Sequence, residues 1–250
     1  MKKHVRAMLC ATIMSASCAT VAAQPPVDGN FPPPRQTEYK IQTPTRMADY
    51  FDEAGEGCLP VEPDGFLRRW MILEPISMPN RSNAVFTDSY INHALDSVYY
   101  KGQSTAAVPQ RGQRVRMADG STLRWHALDS RLFNVKLYRF AAALKKPVYG
   151  IIFHVVTVID CPEPLKGVRL SAGSNSASKW WIDGKEVLLL SGDRRMVADD
   201  AMSRRIDLPR GRTVLRGAII NGPGMSDFCV RFVDEDGRPV NNISTCTTAK

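Results

Sequence analysis

The 250-residue chain is poor in the residue patterns that announce a catalytic centre. No Gly-x-Ser-x-Gly elbow occurs. Its nearest approach, Gly224-Met225-Ser226-Asp227-Phe228, has no second glycine, so the tight turn that exposes a nucleophilic serine is not encoded. Histidine is scarce, with four in all, and beyond residue 23 only His93, His126 and His154 could serve as bases. Neither a Cys-x-x-Cys pair nor a Cys/His cluster is present, which excludes a zinc site of ordinary ligand spacing. No segment after the N-terminus is long and apolar enough to span a bilayer. Long runs of one charge are also missing. The formal net charge is +8, but the pairs Arg68/Arg69, Arg194/Arg195 and Arg204/Arg205 lie among acids, which reads as a solvated basic face and not as a nucleic-acid surface.

What is there begins with an export signal. Lys2, Lys3 and Arg6 precede an apolar run, and Val21-Ala22-Ala23 offers a small-residue cleavage site, so residues 1–23 read as a signal peptide and the protein as secreted or periplasmic. The rival is a lipoprotein acylated at Cys18, against which Ser15 stands where leucine is usual. Export suits the remaining cysteines. Cys58, Cys161, Cys229 and Cys246 form an even set, enough for two disulfides in an oxidising compartment with three possible connectivities. Cys58 and Cys246 flank the main domain, which favours a terminal clasp between them and an inter-strand bridge between Cys161 and Cys229.

Residues 24–63, with Pro32-Pro33-Pro34 near their start, have the composition of an extended linker. Residues 64–240 are long enough for one domain with a sizeable core, and 241–250 form a tail. Within that domain short apolar segments alternate with turn signals. Strands are expected at 66–73, 122–127, 148–159, 168–171, 179–182, 186–190, 204–208, 213–220 and 228–233. The segment 148–159 is apolar on both faces, as a strand covered on both sides would be. Asp183-Gly184 is a two-residue hairpin signal, because both central positions of a type I′ turn need positive φ. One helix is expected over 87–97, capped by Thr87 or Asp88, with Tyr90, Ile91, Ala94, Leu95 and Val98 as its apolar stripe. The pattern predicts an all-β sandwich with one short helix.

The most informative stretch is 171–187, where a Gly/Ser/Asn turn leads into Trp180-Trp181 and then the Asp-Gly hairpin. It is joined by Asp193-Arg194-Arg195, Asn221-Gly222-Pro223-Gly224, the segment 227–232 and an opening segment 64–76. Over about 64–240 these residues together resemble a galactose-binding-like β-sandwich. Such domains accompany secreted bacterial polysaccharide-degrading enzymes, including acetylxylan esterases of the Bacteroidetes type. The resemblance implies a jelly-roll topology, a plant-type polysaccharide or other glycan as ligand, a separate glycan-degrading enzyme as partner, and no organic cofactor. A structural calcium would be in keeping with it, although no ligand loop of defined spacing occurs. After Pro239 only eleven residues follow, so no counterpart of the catalytic domain of such enzymes is expected in this chain.

Candidate chemistry follows from these residues. Neighbours on a strand point to opposite faces, so Trp180 and Trp181 divide into one core anchor and one indole available to a partner, unless a second layer covers both. Sugars offer C–H faces to indole rings and hydroxyls to polar side chains, which makes Trp180, Trp181, Asn175, Arg194 and Arg195 the candidate carbohydrate-binding set. No catalytic residue is assigned. The cluster Trp125-His126-Ala127-Leu128-Asp129-Ser130 contains triad residue types, but triads are assembled from distant segments. His154, inside an apolar strand, reads as a core histidine. The expectation is a secreted, non-catalytic carbohydrate-binding module, with esterase or glycoside hydrolase activity as its rival.

Overall fold

The computed structural model describes residues 45–80 and 82–249. The expected signal peptide, Cys18 and most of the segment read as a linker lie outside them. The first part of the chain forms β1 (Phe51–Glu53), β2 (Cys58–Pro60), β3 (Arg69–Leu73), β4 (Ile76–Ser77), helix α1 (Asp88–Asp96), β5 (Arg114–Arg116) and β6 (Thr122–Ser130). Helix α2 (Leu137–Ala143) leads to β7 (Ile151–Cys161), β8 (Leu165–Ser174), β9 (Ala177–Ile182) and β10 (Lys185–Leu190). The chain then adds β11 (Ala201–Met202), β12 (Ile206–Leu208), β13 (Gly211–Asn221), β14 (Phe228–Val233) and β15 (Ser244–Cys246).

The fold is all-β with short helices. Its large sheet runs β1-β6-β3-β7-β13-β9-β10, and a smaller sheet is centred on β8, flanked by β11, β12 and β14. All the strand pairs are antiparallel. The backbone of the large sheet is the β7–β13 pair, in unbroken register from Gly211 opposite Cys161 to Asn221 opposite Ile151. As the apolar run predicted, β7 is buried on both faces. Phe153, Val155 and Ile159 join Trp70, Trp180, Leu215 and Ile219 against Leu170, Phe228 and Phe232 of the small sheet. Ile152 and Val156 face the other way, towards Ile91, Ala94 and Leu95 of α1 and towards Trp125. The large sheet is therefore the middle of three layers.

The inter-sheet layer centres on aromatic rings. Trp180 lies 6.2 Å from Trp70 and 5.4 Å from Phe228, and Trp70 lies 5.1 Å from Phe228 in edge-to-face contact. Gly217, opposite Trp180 on β13, is required for this packing. A Cβ there would come within 2.7 Å of Trp180 Cε3 and 2.8 Å of Cη2.

Local signals held where their chemistry is local. Thr87 caps α1 by accepting from the Tyr90 amide at 3.3 Å. Asp183 and Gly184 both take positive φ, 47° and 81°, in the β9–β10 hairpin. Three expectations are corrected. Helix α1 ends at Asp96, so Val98 lies past it and is exposed. A second helix, α2, lacks a side-chain cap but buries Leu137, Phe140 and Ala141 in the inter-sheet core. The domain also extends beyond 64–240. β1 pairs with β6, β2 pairs with β15, and β15 pairs with β7, so segments read as linker and tail belong to the large sheet.

The disulfide Cys58–Cys246 fastens this edge across 188 residues of sequence. The expected Cys161–Cys229 bridge is not formed, and both residues are buried free thiols. Cys161 ends β7 of the large sheet, whereas Cys229 pairs with Gly173 in the small one, so sheet membership separates them. Burial, with Asp199 nearby, pushes the Cys229 thiol up to about 12, and burial beside Asp160 raises Cys161. Alkylation of the denatured, unreduced protein followed by peptide mass mapping should label Cys161 and Cys229 and leave Cys58 and Cys246 unlabelled. Cys246→Ser should cost about 2–5 kcal/mol of stability. The inter-sheet packing makes a second demand: Trp180→Ala should cost about 3–5 kcal/mol in denaturant unfolding, and Gly217→Val should be similarly disruptive.

Candidate functional site

Antiparallel register gathers polar side chains on the helix-facing side of the large sheet. Lys179 on β9, Ala218 on β13 and His154 on β7 are mutual neighbours in one cross-strand row. The adjacent row holds Trp181, Arg216 and Val156, and Glu186 of β10 stands opposite Trp181. In the first row Ala218 offers only a methyl between two long polar side chains. Above these rows, α1 and the segment 97–106 border a half-open cavity of about 280 Å3. Leu95, Asp96, Gln103 and Thr105 line it together with His154, Trp181 and Arg216. Val98, 72% exposed, also lines it. The size is near the lower end of small-molecule sites and suits one compact polar ligand.

Each charged group on this wall has a distinct setting. Lys179, 2% exposed, donates to Asn92 and to both Asp96 oxygens at 2.8 Å, and pairs with Glu186 at 2.9 Å. Asn92 and Asp96 are four residues apart on α1 and thus share one helix face. Burial opposes the Lys179 charge, but Asp96 and Glu186 outweigh it and hold the ammonium's pKa above its ordinary value. Arg216 donates to the Ser104 carbonyl and, at 3.5 Å, to the Tyr100 hydroxyl, with its guanidinium 5.8 Å from the Trp125 ring centre. The covering segment is tied by its own bonds, since Gln103 donates to the Ser97 carbonyl and accepts from the Tyr99 amide. His154 is 1% exposed, and neither ring nitrogen has a hydrogen-bond partner. Burial and then the positive charge of Arg216 push its pKa well below the usual range. It is therefore a neutral imidazole at neutral pH, with one donor and one acceptor nitrogen, and the residue lies along the cavity.

The residues singled out from the sequence are dispersed. Trp180 is fully buried between the sheets and has no open face. Trp181 is 4% exposed, carries Lys179 Nζ 5.5 Å from its ring centre, and reaches the cavity wall. A layer on each side of the sheet buries both indoles, so the expected freely exposed tryptophan does not exist. Asn175 is engaged structurally, donating to Asp227 and accepting from the Met196 amide at 2.7 Å. Arg194 is held by Asp200 at 2.6 Å, and Arg195 is exposed. These three residues line none of the cavity. The triad types on β6 are also separated: Asp129 binds Arg69 at 2.7 Å, Ser130 donates to the Leu132 carbonyl, and His126 meets Glu74 at 3.2 Å. One group of three potential metal ligands occurs among the described residues, Cys58, Asp160 and Cys246, and its sulfurs are consumed by the disulfide.

Lys179, Arg216, Asp96, Gln103 and Glu186 were missed in the sequence. The available signal was a charge set inside an apolar strand, as in Leu215-Arg216-Gly217 and Ser178-Lys179-Trp180.

No protein-family model matches the chain, and no curated protein matches it. Solved structures give distant likenesses. A PA14 sugar-binding domain from an RTX adhesin matches with a TM-score of 0.40 and 8% identity, over 72% of this chain and 96% of that one. The PA14 domain of the MpAFP antifreeze protein matches with a TM-score of 0.40 and 8% identity, over 80% and 96%. A beta-glucosidase from Kluyveromyces marxianus matches with a TM-score of 0.35 and 11% identity, over 76% of this chain and 20% of the enzyme. At such distance no residue of these proteins is carried over to this chain.

The buried histidine makes stability depend on pH. Its folded-state pKa lies below the unfolded value, so only the unfolded chain gains a proton as the pH falls through about 6.5. His126, lowered mainly by burial against the opposing pull of Glu74, acts with the same sign. Unfolding free energy should therefore decline from about pH 7 to about pH 5, and His154→Gln should flatten that decline. An unaltered slope in the variant would contradict this account.

Proposed function

We propose that this chain is a carbohydrate-binding module and that its site is the cavity over β7, β9 and β13. The observation that carries the reading is the composition of the cavity wall. An indole, a buried imidazole with both nitrogens unpartnered and a guanidinium line one half-open cavity. A sugar ring answers each in turn, because its C–H surface packs on the indole and its hydroxyls both donate to and accept from directed polar groups. A purely apolar ligand would leave the His154 nitrogens unsatisfied at a cost.

A binding role without catalysis fits the same wall. His154 holds no hydroxyl or thiol within hydrogen-bond distance, so no activated nucleophile is paired with it. Asp96 and Glu186 are both tied to Lys179. Export is part of the proposal, supported by the basic-apolar-small pattern of residues 1–23 and by the Cys58–Cys246 disulfide. Among the described residues no helix is long and apolar enough to cross a membrane. The galactose-binding-like jelly roll and the service to a polysaccharide-degrading enzyme are proposed on the sequence resemblance alone.

A glycan array probed with the full chain tests the reading. The protein should bind at least one class of glycan, and Val98→Trp, a change at an exposed rim position, should abolish that binding while leaving the melting temperature unchanged. Absence of binding, or binding indifferent to the obstructed rim, would overturn it.

A further inference from the structure

The charges around the cavity are compensated unequally. Asp96 and Glu186 both pair with Lys179, two carboxylates to one ammonium, and both Asp96 oxygens are committed to Lys179 Nζ at 2.8 Å. Arg216 is different. Only 2% exposed, it has two neutral oxygens and an aromatic ring for company, and no carboxylate within ion-pair distance among the described residues. A guanidinium carries five N–H donors and keeps its charge throughout the physiological range. The Ser104 carbonyl and Tyr100 hydroxyl each take one hydrogen bond, but neither neutralises the charge. Buried charges are ordinarily paired, because desolvation without a counter-charge is expensive.

Position says what could complete the pair. Arg216 borders the cavity directly and sits beside Trp181 in the same cross-strand row. His154, in the adjoining row, borders the same space with both nitrogens unpartnered. A ligand that met all three would carry an anionic group, a hydroxyl within a few ångströms of it, and a ring with a C–H surface. Resting on the carbohydrate-binding reading above, we infer that the cavity selects acidic sugars, with the carboxylate of a uronic acid as the counter-ion of Arg216. The hydroxyls of the ring exchange hydrogen bonds with His154, and Trp181 packs against its carbon skeleton. A planar guanidinium meets a carboxylate through two parallel N–H···O bonds, which fixes the sugar's orientation as well as its charge. Asp96 and Glu186 share the single Lys179 ammonium, so the surplus negative charge on that side directs the acidic end towards Arg216.

The test compares matched ligands on the unaltered full chain. Methyl glucoside and methyl galactoside are titrated against methyl glucuronide and methyl galacturonide, following the indole N–H resonances by NMR. At least one uronide should bind about tenfold or more tightly than its neutral partner, the difference expected of a charge-assisted pair. Arg216→Gln should abolish that preference, and Arg216→Lys, which keeps the buried charge, should retain it with weaker binding. Neutral glycosides binding as tightly as the uronides would overturn the inference while the carbohydrate reading stood. Failure of both kinds to bind would remove both. A preference that survived in Arg216→Gln would overturn the assignment of the counter-ion.

Discussion

The packing of Trp180 across Gly217 is the contact from which the remaining geometry follows. The indole fills the space between the two sheets against Trp70 and Phe228, and it does so because the facing strand offers no side chain there. Once Trp180 points inward, the two-residue period of a strand obliges Lys179 and Trp181 to point the other way. The same rule on β13 and β7 sends Arg216, Ala218 and His154 to that side, opposite residues that register has already fixed. An inter-sheet core thus sets the position of a polar site on the reverse of the same sheet. A register slip of one residue would exchange the two faces and put Lys179 and Arg216 between the sheets, at a large desolvation cost.

The outer layer over the helix-facing side is less apolar than the inter-sheet core. Ile91, Ala94 and Leu95 of α1 supply its packing, while Asn92 and Asp96 meet Lys179 from the same helix. Lys179 tethers α1 to the sheet, and its partner Asp96 lines the cavity. Lys179 is buried while Asp96 is half exposed, so losing Asp96 would weaken the ammonium's compensation, and α1 and Lys179 are energetically joined. The covering segment is bound to the sheet through Arg216 and to itself through Gln103, and its elements are loops and bonds rather than a second sheet.

The ends of the described chain reinforce this scheme from one edge. β15 lies between β7 and β2, and the Cys58–Cys246 bond joins β2 and β15 at residues already in register. Cross-linking residues so far apart in sequence restricts the unfolded chain more than it alters the native one. Arg69 adds a second tie in this region, since it binds both oxygens of Asp129 and the Gly57 carbonyl.

Local chemistry made much of the fold legible. Alternation and turn residues marked the long strands, Thr87 marked the start of α1, and Asp183-Gly184 marked the hairpin, because each depends on neighbours in sequence. Helix α2 was invisible for the opposite reason: seven residues with no side-chain cap are held by the core they enter and not by propensity. The strands at 51–53, 58–60 and 244–246 were likewise too short to have a period of their own, and pairing partners made them strands. The sequence determined that Trp180 and Trp181 must face opposite ways and that charges lie inside apolar segments. Only the tertiary structure decided that both indoles are covered, that Cys161 and Cys229 belong to different sheets, and that Lys179, His154, Trp181 and Arg216 share one face of the large sheet. Proximity across strands is set by register and layering, and these are properties of pairing between distant segments that no single segment encodes.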